Sequence, residues 1–141
     1  MNGKIVVNIV LTIVVGIAIW GAIRRVLPNA WNGLQIVGSV LLCLGFIFWS
    51  VARFQLGAAL TVSAQARKLV TKGLYSKIRN PIYVFGSCVI AGLILTIGRP
   101  VWLVIFLVII PLQIWRAGKE SAVLESAFGE EYRQYRAGTW F

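Results

Sequence analysis

The chain contains no histidine and no aspartate. Its only acids among 141 residues are four glutamates, set against 14 lysines and arginines. Without histidine, every His-based catalytic triad is excluded, and with it nearly all metal-ligand constellations. Cysteine is scarce too. Cys43 and Cys88 each lie in an apolar stretch, with neither zinc-site spacing nor the count of a disulfide framework, and read as small buried hydrophobes. Charged residues make up 13% of the chain, against about 25% in an ordinary soluble domain. That shortage excludes the soluble globular class. The wealth of Val, Ile and Leu excludes a disordered chain, and long uncharged stretches exclude a basic nucleic-acid binder. What is present is apolar: 59% hydrophobic residues, mean hydropathy +0.84 and a net charge of +10. Together these imply a small all-α integral membrane protein of one domain, with room for about four spanning helices.

Four uncharged stretches fit that expectation, at residues 5–23, 31–52, 82–98 and 101–115. The first follows Lys4 as a signal peptide would. It is longer than a signal core, however, and Arg24-Arg25 follows it rather than a small-residue cleavage site. Only Arg99-Pro100 separates the last two, which predicts a tight antiparallel helical hairpin. Both are short for a hydrocarbon core of about 30 Å. Trp20, Trp31, Trp49, Trp102 and Trp115 fall near the proposed ends, where indoles favour the interface. Gly16, Gly38, Gly45, Gly86 and Gly92 lie inside the stretches and permit close helix packing. Pro111 predicts a kink in the fourth.

The charges set an orientation. Lys4, the basic loop of residues 53–81 and the tail hold 11 of the 14 basic residues and share one face if there are four spans. Arg24, Arg25 and Arg99 lie on the other. The positive-inside rule places the N-terminus, the middle loop and the C-terminus in the cytoplasm.

Glu120, Glu125, Glu130 and Glu131 all lie in the tail, and the spans hold no acid. A proton-coupled exchanger needs an ionisable group inside the bilayer, so a transporter is disfavoured. The tail, residues 116–136, places Leu124, Phe128, Tyr132 and Tyr135 at spacings of four, four and three. That is the apolar face of an amphipathic C-terminal helix, with Gly129 as an interruption. Such a helix can simply lie on the membrane surface. The loop segment Arg79-Asn80-Pro81 can likewise be read as a helix start, with Asn as cap and Pro at the first position.

Taken together, the two segments resemble the isoprenylcysteine carboxyl methyltransferases and the related phospholipid methyltransferases. The first motif is Gly73, Tyr75, Arg79, Asn80, Pro81 and Tyr83; the second is Glu120, Leu124, Phe128, Gly129, Tyr132 and Tyr135. Their order across one helical hairpin carries the likeness, which extends over about half the chain.

The resemblance implies an integral membrane methyltransferase that uses S-adenosyl-L-methionine (SAM) and no metal. The cofactor is expected in a cytoplasmic-side pocket between the pre-hairpin loop and the C-terminal helix, and the chain has no Gly-x-Gly-x-x-Gly. Expected cofactor-binding residues are Tyr75, Arg79, Asn80, Pro81, Tyr83 and Glu120. In this reading Tyr75 and Tyr83 face the sulfonium, Arg79 pairs with the cofactor carboxylate and Glu120 accepts from its hydroxyl or amino groups. Arg133 or Arg136 is expected to hold an anionic substrate group, and Glu120 or Glu125 offers a base. The acceptor is a lipophilic partner reached from the membrane: a prenylated cysteine, a phospholipid amine or an isoprenoid-like lipid. Methyl transfer would proceed by direct displacement.

Two positions depart from the family pattern: Asn80 stands where the family often has His, and Ser121 follows Glu120 where a second acid is common. Neither replacement can take a proton near neutral pH. Simpler readings compete at each position. The arginines can contact lipid phosphate, and Glu120 can pair with Arg116 one turn earlier. The alternative for the whole chain is a non-catalytic membrane protein whose basic face binds anionic lipid or a partner protein.

Overall fold

The computed structural model describes residues 3–26, 31–57 and 69–140. Arg67 and Lys68 of the basic loop lie outside the described residues, as does the turn at Pro28-Asn29. All regular structure among the described residues is helical. The helices are α1 (Gly3–Val26), α2 (Gly33–Leu56), α3 (Pro81–Thr96), α4 (Phe106–Phe128) and α5 (Glu130–Ala137). Short 3₁₀ turns at Gly73–Ser76 and Pro100–Ile105 precede α3 and α4.

Local chemistry explains the helix ends. Asn32 caps α2 in a reciprocal box: its side chain accepts from the Gln35 amide at 2.9 Å, and the Gln35 side chain accepts from the Asn32 amide at 3.1 Å. Pro81 opens α3 at the position where a missing N–H costs nothing. Gly98, at φ 74°, takes the left-handed conformation that turns the chain between α3 and the next helical segment.

Among the described residues two helices are long and apolar enough to cross a membrane: Gly33–Leu56, and the continuous helical rod Pro100–Phe128. Val6–Gly21 and Pro81–Thr96 are shorter apolar helices. Large Val, Ile, Leu and Trp side chains are exposed along α1, α2 and α4. A soluble monomer rarely exposes apolar surface on this scale; hydrocarbon is its natural solvent.

The tightest packing is between α2 and α3. A Cβ added at Gly92 would lie 2.7 Å from the Leu42 Cα, and one at Gly38 would lie 2.6 Å from the Thr96 backbone nitrogen. The two backbones therefore touch where side chains would normally separate them. Ser39 Oγ lies 3.4 Å from Thr96 Oγ1 beside this contact. At the opposite end, Arg53 donates to Asn8 Oδ1 at 2.9 Å and ties α2 to α1.

The fourth segment differs from the sequence expectation. The helix does not restart near Arg116. Instead α4 runs through Pro111 and on to Phe128, because residues 112–128 contain no proline and, Gly118 aside, are mostly compatible with a helix, with three Ala, two Leu and two Glu. The break comes at Gly129, φ 52°, so the helix expected over 116–136 is the end of α4 followed by the short α5. The hairpin also differs. Its turn is short, but α3 packs closely on α2, and a cleft opens between α3 and α4. The glycines that allow intimate packing, Gly38 and Gly45 on α2 and Gly92 on α3, lie between those two helices, whereas no residue of α4 is buried.

Candidate functional site

α5 folds back onto the segment that precedes α3. Tyr132, only 1% exposed, donates to Ser121 Oγ at 2.9 Å and so holds α5 against α4. Tyr135 donates to the Tyr75 carbonyl at 2.6 Å, and the Trp140 amide donates to the Lys77 carbonyl at 2.9 Å. The last two bonds hold α5 and the residues after it on the segment that precedes α3. The apolar face read from Tyr132 and Tyr135 is thus used for packing within the protein.

Burial holds both loop-side phenols in the neutral form. It pushes Tyr75 above the ordinary tyrosine range and raises Tyr135 to about 12. Nearby tyrosines add to the upward shift at both, while Arg79 partly opposes it at Tyr135. The folded Tyr135 therefore keeps its proton between about pH 10 and 12, where the unfolded phenol loses it. Stability must fall as pH rises through that window. Tyr135→Phe is expected to cost about 1 kcal/mol near neutral pH through the lost bond to Tyr75. Its alkaline decline should be shallower, as read by thermal melts from pH 8 to 12. A variant with the wild-type pH slope would remove Tyr135 as the cause.

Between α3, α4 and the end of α5 lies a cleft of about 690 Å³, within the range of small-molecule sites. Its polar mouth is formed by Arg79, Asn80, Glu125 and Arg136. Its walls carry Val84, Ile114, Ala117 and Ala122, and its deeper part carries Ser87 and Gln113.

The expected site residues take different positions around it. Arg79 lines the cleft, and its Nε is buried with no hydrogen-bond partner among the described residues. A buried, unpaired guanidinium N–H is costly and marks a place for an anionic or acceptor group. Asn80 occupies the cap position of α3, but its side chain makes no capping bond; it lines the cleft instead. Pro81 is almost fully buried and serves as the first residue of α3. Tyr83 lines the cleft and donates its hydroxyl to Glu120. Among the described residues Glu120 makes no ion pair with Arg116. Its partner is Tyr83, so it braces α3 against α4 from outside the cleft lining. Tyr75 likewise lies behind the wall, buried under Tyr135.

Of the three residues expected to act on substrate, Glu125 and Arg136 line the cleft and Arg133 does not. Arg133 is largely exposed, pairing with Glu125 at 2.9 Å and with Glu130 at 3.7 Å. The ion pair with Glu125 raises its pKa further. Arg133 thus orients Glu125 at the rim.

Two polar lining residues carry no signal in the sequence motifs, Ser87 and Gln113, and a third, Ser121, stands out there only as a departure from the family pattern. Ser121 stands where the family often has an acid, and here it accepts the Tyr132 hydroxyl. Gln113 is the one amide in an otherwise apolar stretch, which is the clue that could have found it. It forms a reciprocal pair with Ser87, at 3.1 and 3.2 Å.

Comparison with curated proteins finds no match to the chain. The family model of the phospholipid methyltransferases does match, over residues 34–131. That span includes α2 from its second residue, all of α3 and α4, and every cleft-lining residue except Arg136. With well over half the chain matched, this protein belongs to the phospholipid methyltransferase family, membrane methyltransferases that act on lipid-like substrates.

Proposed function

We propose that the protein is a four-span membrane methyltransferase that uses S-adenosylmethionine and methylates a lipid-borne nucleophile by direct displacement. The observation that carries this reading is the cleft between α3 and α4. It joins the half-buried Arg79, whose buried Nε has no partner among the described residues, to apolar walls within a membrane-exposed helix pair. The donor set suits the cofactor. Arg79 and Arg136 provide cationic partners for its carboxylate, Asn80 and Glu125 offer bonds for its amino and hydroxyl groups, and Val84, Ile114, Ala117 and Ala122 suit an adenine face. When bound, the cofactor supplies an electrophilic methyl on a sulfonium, and the sulfur leaves as a neutral thioether.

The protein's part is positioning. The α2–α3 contact fixes α3 and hence Tyr83, while α5 brings Arg136 to the polar end of the cleft. An acceptor carboxylate needs no base. An acceptor amine needs a proton removed, and Glu125 at the rim is the carboxylate available to receive it. The family match favours the phospholipid amine over a prenylated cysteine. Asn80 leaves no imidazole here, so the site works by alignment and charge rather than by a histidine relay.

Titration of SAM into detergent-purified protein tests the reading. Saturable binding is expected. Folded protein that binds none would overturn it and favour the non-catalytic alternative.

The four-span arrangement places α1 and α3 across the bilayer, with flanking residues making up their length. Single cysteines at Lys72 and Lys119, in a background lacking Cys43 and Cys88, should react with an impermeant maleimide only from the cytoplasmic side. A cysteine at Arg24 should react only from the other. The opposite pattern would invert cofactor access.

A further inference from the structure

A second cavity, of about 310 Å³, lies at the other end of α3 from the cofactor cleft and shares no lining residue with it. Because α3 starts beside Arg79 and runs away from it, this cavity and the turn at Gly98 sit toward the opposite membrane face. Ile90, Ile94 and Ile97 line it at spacings of four and three, a single helical face. Ile105 lines it from the next helical segment. Among the described residues its only polar groups belong to Arg99 and Trp102, and both side chains are exposed.

No side-chain carboxylate of the protein can answer the charge of Arg99. The acids are Glu120, Glu125, Glu130 and Glu131. The first of them stands fifteen residues beyond Ile105 on the same rod, a rise of about 22 Å. The counter-charge therefore comes from outside the chain, and at a membrane face the anion at hand is a lipid phosphate. A guanidinium matches phosphate with two parallel N–H···O bonds. An indole adds one N–H donor and a ring suited to the interface. Next to these groups the lining is apolar. From Ile97 to Ile90 is seven residues, a rise of about 10 Å, and one leaflet's half of a hydrocarbon core of about 30 Å is about 15 Å. A cationic rim beside an apolar slot of that depth is complementary to an amphiphile with an anionic head and a hydrocarbon chain.

We propose that this cavity is a structural site for an anionic phospholipid of the non-cytoplasmic leaflet, with the phosphate at Arg99 and Trp102 and one acyl chain against Ile90, Ile94 and Ile97. The bound lipid is not a methyl acceptor, because its head lies the length of α3 away from Arg79. Its role follows from the shortness of that helix. The sixteen residues of α3 span about 24 Å, less than a hydrocarbon core of about 30 Å. A lipid fixed by both head and chain at the end of α3 seals the bilayer against the short hairpin. The site needs α3 to cross the membrane and is independent of the methyltransferase reading.

Photolabelling of the protein in bicelles tests this without cofactor or turnover. Phosphatidylglycerol and phosphatidylcholine, each carrying a diazirine midway along one chain, are compared at equal dose, and labelled peptides are mapped. One guanidinium at an anionic lipid surface supports a preference of about fivefold, so phosphatidylglycerol should label residues 90–105 about that much more strongly than phosphatidylcholine. Arg99→Gln should abolish the preference, and Arg99→Lys should keep part of it. Ile94→Trp, which fills the slot, should suppress labelling of residues 90–105 by both lipids. Labelling of α1, which does not line the cavity, is the reference and should be the same in all variants. Excess inorganic phosphate should not compete, since it has no chain to place. Equal labelling by the two lipids in the wild type, or a preference that survives Arg99→Gln, would overturn the phosphate assignment. Labelling of residues 90–105 unaltered by Ile94→Trp would overturn the cavity as the seat of the chain, and competition by inorganic phosphate would replace the lipid with a simple ion.

Discussion

Arg79→Ala should weaken SAM binding by roughly ten- to a hundredfold, the loss expected when a charge-assisted hydrogen bond of about 1.5–3 kcal/mol is removed. The structure gives this variant a distinctive signature. Arg79 Nε is buried and unpartnered among the described residues, so the unliganded fold gains little from the side chain and bears the cost of desolvating it. The melting temperature of the ligand-free variant should therefore equal or exceed that of the wild type. The upward shift produced by SAM should shrink, because stabilisation by a ligand follows the logarithm of its concentration over Kd. Arg79→Lys should recover only part of the affinity, since an ammonium lacks the planar fork that matches a carboxylate. Calorimetry with parallel melts checks both. Full affinity in Arg79→Ala would remove this residue from the cofactor site. A large drop in ligand-free stability would mean instead that it holds the fold.

How far the sequence could anticipate this site depends on the range of the interaction. Hydropathy revealed the apolar helices because each carries its own composition. The grouping of Arg79, Asn80 and Tyr83 near the tail glutamates followed from motif order across one hairpin, and the fold places Tyr83 on Glu120. The fourth helix ends later than its composition implies. The change from apolar to charged residues at Arg116 looks like a boundary, yet helical hydrogen bonding is indifferent to it and stops only at Gly129. The split between cleft-lining Arg136 and rim-facing Arg133 depends on how α5 turns after that glycine, a long-range outcome fixed by Tyr132 on Ser121 and Tyr135 on Tyr75. Ser87 and Gln113 are 26 residues apart; only the facing of α3 and α4 makes them a pair. Among the glycines, Gly38, Gly45 and Gly92 stand at close helix contacts, whereas Gly16 and Gly86 have room for a Cβ at ordinary distance. Sequence alone treats all five alike.

That distinction makes Gly92 the most sensitive position in the frame that supports the site. A methyl group there would press on the Leu42 backbone, 2.7 Å from its Cα and closer still to its nitrogen. Neither atom can rotate away as a side chain could. In an unobstructed helix Gly→Ala gains up to about 1 kcal/mol. At Gly92 that gain is set against overpacking that typically costs about 1–3 kcal/mol, with backbone contact on both sides placing it at the upper end. Gly92→Ala should therefore lower the melting temperature by several degrees, and Gly92→Leu should prevent recovery of monodisperse protein. Gly21→Ala is the matched control. It is also within an apolar helix, but an added Cβ would meet nothing within 4 Å, so its melting temperature should hold or rise. The effect should reach function by a defined route. Separating α2 from α3 moves Tyr83 and Ser87 relative to α4, so any Gly92→Ala protein that still folds should bind SAM more weakly even though Gly92 does not line the cleft. Wild-type stability and affinity in Gly92→Ala would refute the backbone contact between α2 and α3, and with it the rigid support assigned to the site.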